Sequence, residues 1–194
     1  AAYAQGIFPW YGPDSPILWW STDPRLVLEP AWLHVPRRLE RLLRSGRFSF
    51  TLDRAFPEVI RACAAAPRPG QEGTWLVPDM IAAYERLHDL GLAHSLEAWD
   101  GGELAGGLYG VSLGRAFFGE SMFHLVPDAS KASFVVLVRQ LAAWGFSLID
   151  CQQTTAHMVR LGAREVCRAE FLRRLGLALR QPTRQGRWEL EEGL

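Results

Sequence analysis

From His94 to Trp99 polar and apolar side chains alternate, the period of a strand that buries one face. The alternation stops at Asp100-Gly101-Gly102, where glycine accepts the positive φ of a tight hairpin, so a returning strand must follow. Leu104 to Val111 fits that place. Its Gly106, Gly107 and Gly110 weaken a strand and make sense where a bulge forms or a ligand comes close. Ser112 to Arg115 turns the chain again. Ala116-Phe117-Phe118 is then a short apolar strand running into Gly119-Glu120-Ser121-Met122-Phe123, which delivers a carboxylate and a hydroxyl at its carboxyl end. Pro127-Asp128-Ala129-Ser130 offers helix N-caps, the spacing of Phe134, Val135, Leu137, Val138, Leu141 and Ala142 predicts a helix, and Gly145 ends it. Phe146 to Cys151 is the next strand. Strand, helix and strand make a right-handed crossover between parallel neighbours, so both carboxyl ends lie at one edge of the sheet. Ligands of open α/β sheets bind outside such ends, which makes Glu120, Ser121, Asp150 and Gln152 the first site candidates.

Upstream, Ala1 to Arg25 is dense in aromatics, and Pro9, Pro13, Pro16 and Pro24 replace any long helix by extended segments and turns. Its tryptophans suit a core, the usual place for so large a side chain. Flat rings also hold nucleobases, at roughly 1 to 3 kcal/mol per stacked base. Ala31 to Gly46 reads as a helix whose first turn is set by Pro36, with Leu39, Leu42 and Leu43 on one face. Arg37, Arg38, Arg41 and Arg44 take the rest, and Arg47 follows. Such a run is commonly a solvated face, and it equally suits a phosphate backbone. Arg47 to Leu52 reads as a strand, Phe56 to Ala66 as a helix ending before a Pro67-Arg68-Pro69-Gly70 loop, Thr74-Trp75-Leu76 as a short apolar insertion, and Met80 to Leu90 as a helix begun by Pro78-Asp79 and closed by Gly91. Downstream, Thr154 or Thr155 caps a helix to Leu161 that carries His157, a possible general base or a packing residue, and Arg168 to Arg180 forms a last helix. The tail from Gln181 is polar and carries no signal. The expectation is an α/β (α+β) chain, a mixed sheet flanked by helices over 26–194 with a small aromatic segment over 1–25.

Length and 48% hydrophobic content allow a sizeable core. The formal charge of zero makes the five arginines between Arg37 and Arg47 a local excess. Cys63, Cys151 and Cys167 are odd in number and without ligand spacing, which argues against a zinc site or a disulfide framework and for a reducing compartment, so a cytoplasmic location is expected. His88 and His94 lack partners at metal spacing and read as structural. No apolar run approaches the roughly 20 residues needed to span a bilayer, and no signal peptide is visible. The chain opens on Ala1, so a leader or a few residues are expected to precede it.

The residues resemble a known family, the bacterial leucyl/phenylalanyl-tRNA–protein transferases. The likeness runs through Gly6-Ile7-Phe8-Pro9-Trp10, Leu18-Trp19-Trp20-Ser21-Thr22-Asp23-Pro24-Arg25, Gly73-Thr74-Trp75, Ala83-Tyr84-Glu85-Arg86-Leu87-His88 and Ala93-His94-Ser95-Leu96-Glu97. It continues in Gly106-Gly107-Leu108-Tyr109-Gly110, Phe118-Gly119-Glu120-Ser121-Met122-Phe123, Ala129-Ser130-Lys131 and Leu148-Ile149-Asp150-Cys151-Gln152. Thr22 replaces a proline of the usual tryptophan motif, Leu108 stands where a methionine lines the pocket in the best-known member, and the N-terminal segment is shorter.

The resemblance implies an N-acetyltransferase-like fold and transfer of leucine or phenylalanine from aminoacyl-tRNA to the α-amino group of a protein that begins with arginine or lysine, which marks the acceptor for degradation. An aminoacyl ester is already activated, so no cofactor, ATP or metal is implied. Trp10 and Trp75 would hold the terminal adenosine. Leu108, Phe117, Leu137 and Ile149, with Ser121 and Met122, would line a pocket for the aminoacyl side chain, while Glu120 and Asp150 would face the acceptor with Gln152 sharing a proton network. Arg37, Arg38, Arg41, Arg44 and Arg47 are then candidates for tRNA phosphates, and a monomer without membrane contact is expected. The alternatives are an acetyl-coenzyme A-dependent acetyltransferase, against which Asp128 at the helix start sets a carboxylate hostile to pyrophosphate, and a noncatalytic tRNA-binding module.

Overall fold

The computed structural model describes residues 1–12, 15–67 and 74–191. The turn expected at Pro13, the loop at Arg68-Pro69-Gly70 and the Gly73 of the Gly-Thr-Trp motif lie outside them. In chain order the elements are β1 (Phe8–Pro9), β2 (Trp19–Trp20), β3 (Arg25–Leu28), α1 (Arg37–Arg44), β4 (Ser49–Leu52), α2 (Phe56–Ala65), α3 (Pro78–Asp89), β5 (Ala93–Asp100) and β6 (Glu103–Leu113). Then come β7 (Ala116–His124), α4 (Ala129–Ala143), β8 (Leu148–Gln152), α5 (Ala156–Arg160), β9 (Arg164–Val166) and α6 (Arg168–Ala178). β1 and β2 make a two-stranded ribbon, and the other seven strands one sheet in the order β4-β5-β6-β7-β8-β3-β9. Within that sheet the crossover through α4 makes β7 and β8 parallel, and the remaining pairs are antiparallel. The fold is therefore the expected mixed sheet flanked by helices.

Strand alternation sorts the core into two layers. Leu26, Leu28, Leu108, Phe117 and Ile149 join α4 and Leu39 of α1 on one face. Val27, Tyr109, Phe118 and Leu148 join residues of α2, α3, α6 and the N-terminal segment on the other. Each buried side chain of this size contributes roughly 1.5 to 3 kcal/mol by leaving water. The glycines of β6 serve close packing: a Cβ on Gly106 would lie 2.7 Å from that of Ala129 at the start of α4, and one on Gly110 2.5 Å from the Phe117 ring.

Three expectations need correction. The tail is not featureless, because Trp188 is buried in the core, with its ring stacked on His94 at 3.6 Å between centroids and its backbone N–H donating to Asp53 at 2.8 Å. Asp128 does not cap α4 through its side chain: it sits at φ 68°, with its carboxylate accepting from Lys131 at 2.5 Å and 3.6 Å from Arg38. β7 does not end near Phe118 but runs on to His124, so Glu120 lies inside a strand. The two short strands β3 and β9 are additions to the expected set. Thr155 does cap α5, accepting from the Met158 N–H at 3.3 Å. Among the described residues no helix is long and apolar enough to cross a membrane.

Candidate active site

Pairing between β7 and β8 runs from Ala116↔Leu148 to Phe118↔Asp150. Beyond it β7 follows β6, with a bulge that opposes Tyr109 to Ser121 and Gly110 to Gly119 and leaves Glu120 as the extra residue. β8 instead follows β3, as far as Leu26↔Gln152. The strands therefore part, and Glu120 and Gln152 meet across the mouth of the wedge, the Gln152 Nε2 donating to Glu120 Oε1 at 3.2 Å.

The other oxygen of Glu120 accepts from the Tyr84 hydroxyl at 2.7 Å, and the Tyr84 and Tyr3 hydroxyls lie 2.8 Å apart. Burial raises Glu120 to about 7, and the charge of Asp150 adds to the rise, while hydrogen bonds from Tyr84, Tyr3 and Gln152 pull the other way. An incoming positive charge favours the ionised form of such a carboxyl group, so a cation seated beside it would draw the raised pKa down. Both tyrosines are pushed well above their ordinary range, by burial first and then by Glu120, so they remain hydrogen-bond donors.

Asp150 is placed differently. It has 0% exposure, and Arg25, also at 0%, grips it through Nε to Oδ1 at 2.8 Å and Nη2 to Oδ2 at 2.6 Å. The guanidinium lies between the rings of Phe8 and Phe171, 4.6 and 4.5 Å from their centroids. Asp150 Oδ1 also accepts the backbone N–H of Gln152 at 2.9 Å, and Gln152 has φ 60°, a left-handed conformation that costs a non-glycine residue roughly 1 to 2 kcal/mol. Thr22 Oγ1 donates to the Gln152 carbonyl at 3.2 Å. Arg25 and Asp150 thus form a rigid base under Gln152, whose amide donates to Glu120 through Nε2 and keeps its oxygen as an acceptor.

The remaining site candidates divide by layer. Leu108, Phe117, Leu137 and Ile149 are packed together in the α4-side core, with Met122 partly buried against them and Ser121 half-buried beside Glu120. Trp10 and Trp75 are partly buried against the opposite layer, the one that holds Tyr3 and Tyr84. Arg37, Arg38, Arg41, Arg44 and Arg47 are all exposed. Arg44 meets Glu40 at 3.2 Å and Arg47 meets Asp100 at 3.0 Å, whereas Arg37 and Arg41 have no acidic partner among the described residues. His157 lies near Lys131, Arg160 and His124, and burial followed by these charges lowers its pKa. No group of histidine, cysteine and acidic residues among those described could hold a metal.

Sequence reasoning passed over Tyr3, Tyr84, Thr22 and Arg25 as site residues. Tyr84 carried a signal, since it lies on the inward face of α3 with Met80. Arg25 carried none in the local pattern, because its partner is 125 residues away, and stood only at the end of the tryptophan motif.

A family model described as leucyl/phenylalanyl-tRNA protein transferase matches residues 27–176, and one described as the N-terminal domain of the same transferase matches residues 1–23. The protein named leucyl/phenylalanyl-tRNA–protein transferase in Anaeromyxobacter sp. (strain Fw109-5) is 66% identical over 192 residues, covering 99% of this chain and 82% of that one. The protein of the same name in Nitratidesulfovibrio vulgaris (strain DP4) is 64% identical over 191 residues, with 98% and 82% covered. Among solved structures, a GCN5-related N-acetyltransferase from Kribbella flavida superposes with a TM-score of 0.47 at 11% identity, covering 75% of this chain and 55% of that one.

Proposed function

Because the chain belongs to the leucyl/phenylalanyl-tRNA protein transferase family, we propose that it moves leucine or phenylalanine from aminoacyl-tRNA to the α-amino group of proteins beginning with arginine or lysine, and so marks them for degradation. Glu120 carries this reading. A carboxyl group raised to about 7, fixed by Tyr84 and Gln152 at the mouth of a wedge, is a seat for a guanidinium or ammonium side chain.

In the reaction, the acceptor ammonium first gives one proton to water, the neutral nitrogen attacks the ester carbonyl, a C–N bond forms, the bond to the ribose oxygen breaks, and the second proton lost by the nitrogen leaves on that oxygen. The Gln152 side-chain oxygen accepts a hydrogen bond from the attacking amine and orients its lone pair. Asp150 acts through Gln152: both its oxygens are engaged by Arg25, so its part is to fix the Gln152 backbone. Losing such positioning by about 1 Å can cost on the order of 10²-fold in rate. The ester brings its own activation, and no step calls for ATP.

On the donor side, Trp10 and Trp75 stack the terminal adenosine. Leu108, Phe117, Leu137, Ile149 and Met122 supply the apolar wall that accepts leucine and phenylalanine and offers a polar side chain nothing, with Ser121 at its rim. The arginines of α1 and Arg47 meet the phosphates of the acceptor stem, contacts that position the tRNA without reading its sequence. The test is to incubate the protein with labelled phenylalanyl-tRNA and an arginine-starting peptide, and separately with acetyl-coenzyme A. Label should appear in a new amide bond at the peptide N-terminus. Acetylation of the peptide without aminoacyl transfer would overturn the reading.

A further inference from the structure

Four consecutive large apolar residues lie on the surface: Ile17, Leu18, Trp19 and Trp20 are 61%, 41%, 52% and 41% exposed. Single exposed hydrophobics are ordinary, but a contiguous strip of this kind on a soluble domain marks a contact surface. The strip is held in place. Trp20 Nε1 donates to the Trp10 carbonyl at 2.7 Å, the two rings meet edge-on at 6.0 Å, and the Trp10 N–H donates to the Leu18 carbonyl at 3.1 Å. It also points to the reaction centre, because two residues after Trp20 the Thr22 hydroxyl bonds the Gln152 carbonyl.

We propose that Ile17–Trp20 is the docking surface for the acceptor polypeptide, receiving the residues that follow its basic N-terminal residue. This rests on the transferase reading above. Charge selects the occupant. From Ala1 to Pro24 the sequence has no lysine, arginine or histidine and carries Asp14 and Asp23, while the first cation after it, Arg25, is buried against Asp150. A phosphate backbone finds no counterion on this segment. A polypeptide that starts with a cation and continues with apolar side chains suits it, and β2, paired with β1 among the described residues, offers main-chain groups to an extended segment. The tRNA phosphates thus lie over the exposed arginines, the terminal adenosine alone reaches the ribbon at Trp10, and the polypeptide runs along the neighbouring Ile17–Trp20 strip, so the two substrates meet beside Trp10.

The experiment compares Trp19→Ala and Trp19→Tyr with the parent protein, using phenylalanyl-tRNA and two acceptors: arginine amide and a six-residue peptide with arginine first and leucine, phenylalanine and valine behind it. Thermal midpoints confirm that the variants fold. The parent should prefer the peptide. Trp19→Ala should raise the peptide KM about tenfold, the size of a truncated aromatic contact, leave arginine amide unchanged, and leave the aminoacyl-tRNA KM unchanged. Trp19→Tyr should recover most of the loss. A rise in the aminoacyl-tRNA KM instead would assign the strip to nucleic acid and overturn the proposal, and so would equal kinetics for both acceptors in parent and variants. Failure of the parent to transfer to either acceptor would sink the transferase reading itself.

Discussion

Replacing Tyr84 by phenylalanine removes one hydroxyl and leaves the ring against Tyr109, 5.2 Å away between centroids. The hydroxyl donates to Glu120 at 2.7 Å and favours its ionised form. A hydrogen bond to a charged group is worth about 1.5 to 3 kcal/mol, and 1.36 kcal/mol corresponds to a tenfold change in a proton equilibrium. The loss therefore carries Glu120 from about 7 to between roughly 8 and 9, toward the lower figure because the Tyr3 hydroxyl already helps in the same direction. Glu120 has a raised pKa, so it holds its proton until about 7 and attracts a cation only above that pH. The assay is the ratio of kcat/KM for an arginine-starting peptide to that for its citrulline-starting counterpart, measured from acid to mildly alkaline pH. Both peptides share the α-amino titration, which cancels, and citrulline keeps the shape of arginine without its charge. In the parent the ratio should rise with a midpoint near 7, and in Tyr84→Phe the midpoint should move about one unit higher at equal maximum. A midpoint that does not move refutes the coupling of Tyr84 to Glu120.

Arg25→Met strands the buried Asp150 carboxylate and should cost about 3 to 5 kcal/mol in denaturant unfolding. The double change Arg25→Met/Asp150→Leu should restore most of that stability while single-turnover transfer stays low, because the Gln152 N–H has lost its acceptor; full recovery of transfer would show that the pair has no part in positioning. Arg38→Gln/Arg41→Gln should raise the aminoacyl-tRNA KM and flatten its salt dependence without affecting a minimal aminoacyl-adenosine donor, and an unchanged salt slope would make these arginines a solvated face. Phe117→Ala removes a ring that is 1% exposed, so a stability loss of about 3 to 5 kcal/mol should accompany a changed ranking of leucyl, phenylalanyl and tryptophanyl donors. An unchanged ranking, measured where the variant is folded, would exclude Phe117 from the donor pocket.

The hairpin, the crossover and the meeting of Glu120 with the end of β8 were legible because period-2 strands, a long helix and right-handed connection rules leave few arrangements. What periodicity misses is contact at long sequence separation. Asp150 is visible as a carboxylate on a strand, but its partner Arg25 stands alone before Leu26-Val27-Leu28 and is indistinguishable from a surface arginine until β3 is laid beside β8. Trp188 sits among Arg187, Glu189 and Glu191, and its burial depends on a stack with His94 and on the Asp53 carboxylate rather than on any local pattern. Asp128 has the residue type of a cap, yet Lys131 and Arg38 compete for its oxygens. The bulge at Glu120 follows from the pairing of Gly110 with Gly119.

The most direct measurement is phenylalanine transfer from phenylalanyl-tRNA to arginine-starting and citrulline-starting peptides, at pH 8, by the parent and by Glu120→Gln. Glutamine keeps the acceptor for the Tyr84 hydroxyl and removes the charge. The parent should favour arginine by at least about tenfold, the worth of a paired charge of 1.4 kcal/mol or more, and Glu120→Gln should lose that preference through the acceptor KM while still transferring to both. A parent that transfers phenylalanine equally well to both peptides, or a Glu120→Gln protein that keeps the arginine preference, would contradict the assignment of this carboxylate as the seat of the acceptor's cation.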